Sequence, residues 1–307
     1  MTYSIVAYDA KLQQLGVAVQ SHSLGCGASV PWAEAGVGVV ATQARSDLAY
    51  GYLGLVMMRT GKPANRVLKT LLASDPQADI RQVAMVDAQG NVAVHTGTKC
   101  IEAAGHYQGL HYCTQANLML RNTVWAAMAQ AFETTDGDLA QRMMAALVAA
   151  EAEGGDMRGQ QSAALRIVSA KLSNSPWGGQ VFDLRVDDHP EPLKELQRLL
   201  TIARSFQHRR KAVDLLLDQS LDDQKFDWAA QEFDKAMQML AMAEDNPEVM
   251  FWYAVTLVSV SRVEAALPLF KEVFTKDSRW RDLISRLVQA EFLPNDAQVI
   301  DTILMLR

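Results

Sequence analysis

Cysteine is scarce in this sequence of 307 residues: only Cys26, Cys100 and Cys113 are present. That number excludes a disulfide framework and fits a reducing compartment, so a cytoplasmic location is expected. No apolar run reaches the ~18 residues needed to span a membrane. The stretch Met1-Thr2-Tyr3-Ser4-Ile5 has neither the basic start nor the apolar centre of a secretion signal. Lysine and arginine form no block, and the formal net charge is −6, so nucleic acid and anionic membranes are not expected partners. No Cys-x-x-Cys exists, and His95, His106 and His111 do not fall at the spacing of metal pairs, so no metal is expected. No cofactor is expected either, because Gly25-Cys26-Gly27 lacks the lysine and hydroxyl residue of a phosphate loop. What remains, with 49% hydrophobic and 21% charged residues, is the composition of an ordinary globular chain.

The first part reads as strands. Tyr3 to Tyr8 and Leu15 to Gln20 are β-prone runs joined by the polar stretch Asp9 to Gln14. Ala28 to Val30 and Val37 to Thr42 are two further apolar runs, separated by Pro31 and Gly36. Helical periodicity begins near Tyr50 and stops at Gly61-Lys62-Pro63, and a second helix covers about Ala64 to Leu72. Val83 to Asp87 and Asn91 to His95 flank a turn, and Leu110 to Gln115 reads as a strand. Asn122 and Thr123 are suited to cap a helix running to about Phe132, and Asp136 or Asp138 to open the next. Ala163 to Ala170 and Val181 to Val186 complete the strands. Strands, two helices, strands, two helices, strands: this order predicts an α+β domain in which two sheets carry helices outside, a four-layer αββα sandwich.

After Val186 the periodicity is helical. The expected division is residues 1–195 for the mixed domain and residues 196–307 for an all-α region, with the boundary between residues 187 and 210. Phe226 to Met242 is one amphipathic helix; Glu248 to Val258 and Val263 to Phe274 form a helical hairpin. Ala254, Ala266 and Phe270 fall where a tetratricopeptide-like hairpin places its packing residues, although a plain bundle explains the same pattern.

Three stretches can carry chemistry. Methionine before a small residue is readily trimmed, and a chain beginning at Thr2 offers a hydroxyl nucleophile beside an α-amine of pKa near ~8 that serves as its base. The plain alternative is an ordinary strand threonine. Ser4, two residues on, shares the strand face. The second stretch, Gly154 to Ser162, places Asp156, Arg158 and Ser162 between a helix end and a strand. Asp156 could face a terminal ammonium while Arg158 or Ser162 meets a substrate; an exposed Asp156–Arg158 pair is the bland reading. The third contains His106 with Gln115 and Asn117, which alternate on one strand face and suit a polar substrate or an oxyanion. Buried backbone partners are their alternative role.

Taken together, Thr2 to Ala7, Leu15 to Val19, Val30 to Ala33, Ala41 to Ala44, Tyr50-Gly51, Thr96-Gly97, Gly105-His106, Gly155-Asp156, Gln161 to Ala164 and Asp183 to His189 resemble, from about residue 2 to 196, the bacterial family catalogued as domain of unknown function 1028. That family looks like an N-terminal-nucleophile (Ntn) hydrolase fold. The resemblance implies amide-bond hydrolysis of a small peptide-like substrate, with Thr2 attacking the carbonyl and its amine moving the proton. Asp156 and Ser162 loosely resemble the Asp and Ser that support the terminal amine in proteasome-like members. Ser21 stands near the place where those members carry a carboxylate. The rival expectation is a non-catalytic scaffold whose helical tail binds a protein partner or a second copy of itself. A third is an internal nucleophile, Ser4 or Cys26.

Overall fold

The structure, a computed structural model, describes residues 2–172, 178–243 and 246–306. It divides into two compact units, Met1–Gln197 and Arg198–Arg307. The first is mixed α+β. Its ten strands are β1 (Thr2–Asp9), β2 (Gln14–Ser21), β3 (Pro31–Glu34), β4 (Gly38–Ala44), β5 (Arg81–Asp87), β6 (Val92–Thr96), β7 (Gly105–Gly109), β8 (Tyr112–Asn117), β9 (Ser162–Ser169) and β10 (Gln180–Val186). They form a six-stranded sheet of order β10-β9-β2-β1-β8-β7 and a four-stranded sheet of order β3-β4-β5-β6, with antiparallel pairing throughout.

Strand alternation decides what lies between the sheets. Val6, Val17 and Val19 of the large sheet pack with Val39, Ala41, Ala84 and Val86 of the small one. The opposite faces bury against helices. Val40, Val83 and Met85 meet α1 (Ala49–Arg59) and α2 (Ala64–Ser74). The outer face of β1, β2 and β8 is covered by α3 (Val124–Thr134) and α4 (Leu139–Ala152). Asp138 opens α4 with a reciprocal capping box: its carboxylate accepts from the Gln141 amide at 2.9 Å, and the Gln141 side chain accepts from Asp138 N at 3.2 Å. Thr123 does not cap α3 through its side chain; its hydroxyl donates to Glu153 at 2.6 Å instead.

Three local expectations shift. The run Ala28 to Val30 precedes the strand rather than forming it, and β3 starts at Pro31, which an edge strand tolerates at its first position. Leu110 and His111 form the turn before β8, with His111 at a φ of 63°, and the strand runs on to Asn117. The edge strand β7, Gly-His-Tyr-Gln-Gly, is flanked by glycines and lacks the apolar alternation of a half-buried strand.

The second unit is helical among the described residues. It comprises the remainder of α5 (Pro192–Leu216), then α6 (Asp223–Ala243), α7 (Glu248–Ser259), α8 (Val263–Lys276), α9 (Arg279–Gln289) and α10 (Ala297–Leu304). Ala254, Ala266 and Phe270 are fully buried, and Phe270 meets Phe251 edge-on at 5.8 Å. No helix among the described residues is long and apolar enough to cross a membrane.

One buried carboxylate ties α5 to α6. Glu232 accepts from His208 Nδ1 at 2.7 Å and is approached by Lys235 Nζ at 2.9 Å and Lys211 Nζ at 3.0 Å. Burial raises the pKa of its carboxyl, but the hydrogen bonds from His208, Lys235 and Lys211 outweigh that and bring it down to about 2. A carboxylate with a depressed folded pKa adds stability above its unfolded value and loses it as pH falls toward the folded one. Glu232→Gln is therefore expected to lower the stability of the helical unit by about 1–2 kcal/mol at neutral pH. In denaturant melts that deficit should narrow from about pH 4.5 downward; a deficit that does not change with pH contradicts the charged network.

Candidate active site at the strand ends

At one end of the inter-sheet space the apolar core gives way to amides and hydroxyls. The pairing register places Asn117, Thr2, Ser21 and Ser162 side by side across β8, β1, β2 and β9. A second row, Gln43, Gln82 and Thr96, runs across β4, β5 and β6 of the other sheet. The two rows join. Gln82 Oε1 accepts from Gln43 Nε2 and from Asn117 Nδ2, each at 2.8 Å. Gln82 Nε2 donates to Ala116 O at 2.9 Å, Thr96 Oγ1 at 3.0 Å and Gly105 O at 3.1 Å. Thr2 sits within this seam at 3% exposure. Its carbonyl accepts from Gln43 Nε2 at 3.1 Å and Asn117 Nδ2 at 3.5 Å, and its hydroxyl is 3.0 Å from the Ser21 hydroxyl.

The expected site residues sort into distinct roles. Thr2, Ser21 and Asn117 are brought together. Ser162 shares their row, but Ser21 lies between it and Thr2, so the two backbones are two strand spacings apart, about 10 Å. The Ser162 hydroxyl is occupied elsewhere: it donates to Ser23 O at 2.6 Å and accepts from Cys26 N at 3.1 Å. Ser4 and Gln115 form the inward-facing row two residues further along, fully buried. The Ser4 hydroxyl donates to Gln43 Oε1 at 2.7 Å and accepts from Gln115 Nε2 at 3.2 Å. Asp156 is buried beneath Arg158, which grips it through Nε at 3.0 Å and Nη2 at 2.8 Å. The same carboxylate accepts from the His22 amide at 3.4 Å, which ties it to the end of β2 beside Ser21. Met1, whose removal the terminal-nucleophile expectation requires, lies outside the described residues.

Two of these positions bear on the internal-nucleophile alternative. Burial pushes the Cys26 thiol up to about 11, so little thiolate exists at neutral pH. Ser4 is enclosed between the sheets and already paired. Among the described residues no group of three or more His, Cys, Asp or Glu is placed to hold a metal ion.

Gln43 and Gln82 hold the seam together, yet sequence reasoning assigned neither a role. The signal was present: each is a glutamine at an inward position of a strand whose other inward positions are apolar. Among the described residues, two acceptors in the seam, Asn117 Oδ1 and Gln115 Oε1, have no hydrogen-bond donor.

His106 connects the seam to its edge. Its Nδ1 is 2.8 Å from Thr96 Oγ1, and the same hydroxyl oxygen accepts from Gln82 Nε2. Burial, aided by the nearby charge of His95, holds the His106 pKa below its usual 6.5. On the opposite face of β1, Tyr3 donates to Glu151 at 2.8 Å, and Glu151 lines a cleft of about 490 Å³ with Val148, Gln160, Leu193 and Lys194.

The chain is thus a two-sheet α+β domain with a buried polar seam at its strand ends, followed by a helical unit. It belongs to the DUF1028 family: the profile described as "Family of unknown function (DUF1028)" matches residues 2–196. It is similar to protein SPO2555 from Silicibacter pomeroyi, whose crystal structure carries the same DUF1028 description. That similarity has 29% identity and a TM-score of 0.59, and covers 66% of this chain and 88% of the other. No curated protein matches the chain.

The His106 arrangement has a pH consequence. A histidine whose folded pKa lies below its unfolded value resists protonation in the native state, so the unfolded chain binds the proton first and stability falls with pH. In thermal melts, the wild-type midpoint should drop more steeply below about pH 6.5 than that of His106→Gln, which keeps an acceptor but cannot titrate. Parallel curves for the two proteins would contradict this.

Proposed function

We propose that the first unit is an N-terminal-nucleophile amidohydrolase of αββα sandwich type, acting in the cytoplasm on a small amide or peptide-like substrate. Once Met1 is removed, the Thr2 hydroxyl attacks the amide carbonyl carbon while the Thr2 amine takes the hydroxyl proton. The tetrahedral adduct expels the amine product, which receives that proton. Water then cleaves the Thr2 ester, releasing the carboxylic acid and restoring the hydroxyl. The observation that carries this reading is the placement of Thr2: its carbonyl is anchored by two carboxamides and its hydroxyl is held 3.0 Å from Ser21 at a strand end. Such anchoring supplies the fixed orientation that a nucleophile needs.

The supporting parts follow from the seam. Ser21 takes the position next to the nucleophile, and Asn117 Oδ1 is an unused acceptor one strand away, suited to a protonated amine. Asp156, neutralised by Arg158, orders the end of β2 through His22. Ser162 acts through the loop it fixes at Ser23 and Cys26 rather than by touching Thr2. His106 lies at the rim, where substrate would meet it. We further read the helical unit as tetratricopeptide-like, because α7 and α8 pair across a short turn with Ala254, Ala266 and Phe270 in their contact. A helical unit of this kind would serve a protein partner or self-association.

N-terminal mass analysis of protein from its native host should find a chain beginning at Thr2. Against a library of N-acyl amides and dipeptides, Thr2→Ala should lose at least about a thousandfold in rate while Thr2→Ser retains turnover. A mature chain that keeps Met1, or hydrolysis unaffected by Thr2→Ala, overturns the proposal.

A further inference from the structure

The helical unit carries a cleft of about 380 Å³, within the range of small-ligand sites. It is lined by Arg209 and Arg210 of α5, Trp252 of α7, and the exposed apolar side chains of Leu217 and Phe292, with exposed Glu291 at its edge. Trp252 and Phe292 meet edge-to-face at 5.9 Å.

The two arginines stand out by their lack of partners. Their neighbours on α5, His208 and Lys211, are committed to Glu232. Among the described residues the guanidinium groups of Arg209 and Arg210 form no hydrogen bond or ion pair. Arg209 Nε is shielded from solvent without an acceptor, and its guanidinium has only the face of Phe206 at 5.5 Å. Burial draws the Arg209 pKa down while the Glu248 charge opposes it, yet a guanidinium remains charged throughout the physiological range. A cation in a half-dry place with an aromatic face and a more distant charge, but no hydrogen-bond acceptor, has lost more hydration than it has recovered. A carboxylate restores what is missing, because its two oxygens fit the guanidinium fork.

The geometry points to a binding site for a small carboxylate with an apolar or aromatic body, its head on Arg209 and Arg210 and its body against Trp252 and Phe292. Of the charged side chains lining the cleft two are arginines and one is a glutamate, and Glu248 acts on Arg209 without a hydrogen bond to it, so an acid is favoured over its neutral or cationic counterpart. This site is independent of Thr2 and of any hydrolytic activity.

Calorimetric titration of the full-length protein with 3-phenylpropionate, and with 3-phenylpropionamide as its neutral counterpart, tests the assignment. The acid should bind at least about tenfold more tightly than the amide, and raised salt should reduce the difference. Arg209→Gln should weaken the acid about tenfold and leave the amide unchanged; Arg210→Gln, at an exposed position that folding does not depend on, should act in the same direction. Phe292→Ser should weaken both compounds. A short peptide ending in phenylalanine, compared with its amidated form, distinguishes a peptide terminus from a free acid as the source of the carboxylate. Equal binding of each acid and its amide, binding of none of them, or acid affinity unchanged in both arginine variants overturns the proposal.

Discussion

Dry space between two sheets tolerates a polar group only when that group is paired, and this constraint organises the first unit. Gln82 meets it most fully: one carboxamide accepts from Gln43 and Asn117 and donates to Thr96 and to two backbone carbonyls. A slip of one residue in any of the paired strands would turn valines toward these amides and send the amides to the helices. The seam therefore fixes the register of both sheets, and with it the place of Thr2. Apolar packing further along the strands supplies the driving force for the sandwich, but it is less selective among registers.

The same seam links stability to the candidate chemistry. Thr2 is held by its carbonyl, and its hydroxyl rests against that of Ser21. The chain of contacts from Gln82 through Thr96 reaches His106 at the rim. In the helical unit, Glu232 plays the corresponding part with opposite chemistry, gathering one histidine and two lysines around one carboxylate. On α5, beside His208 and Lys211, Arg209 and Arg210 form no ion pair among the described residues.

Most of this was legible before the fold. Alternating apolar runs marked β1, β2, β5, β6 and β9, and Asp136 or Asp138 marked the start of α4. Thr2, Ser21 and Asn117 are each near a strand terminus, and antiparallel pairing brings such termini together. What was not legible has physical causes. β7 is an exposed edge with two glycines, so no apolar period announces it. Gln43 and Gln82 acquire their roles only when the two sheets face each other, a relation that no local pattern encodes. Ser162 was expected beside the Thr2 amine, but β2 intervenes and the Ser162 hydroxyl pairs with Ser23 and Cys26 instead. Asp156 and Arg158 were recognisable as a pair, while the His22 amide that brings them to β2 is a backbone contact invisible in composition.

The central claim is that Thr2, freed at its amine, is a nucleophile. Its most direct test is acylation by an amine-inert β-lactone electrophile, with the modified peptide located by mass spectrometry in two preparations, one beginning at Thr2 and one retaining Met1. The account predicts a single ester adduct on the Thr2 hydroxyl of the first preparation and none on the second. Equal labelling of both, or labelling only at Ser4, Cys26 or another side chain, would contradict it.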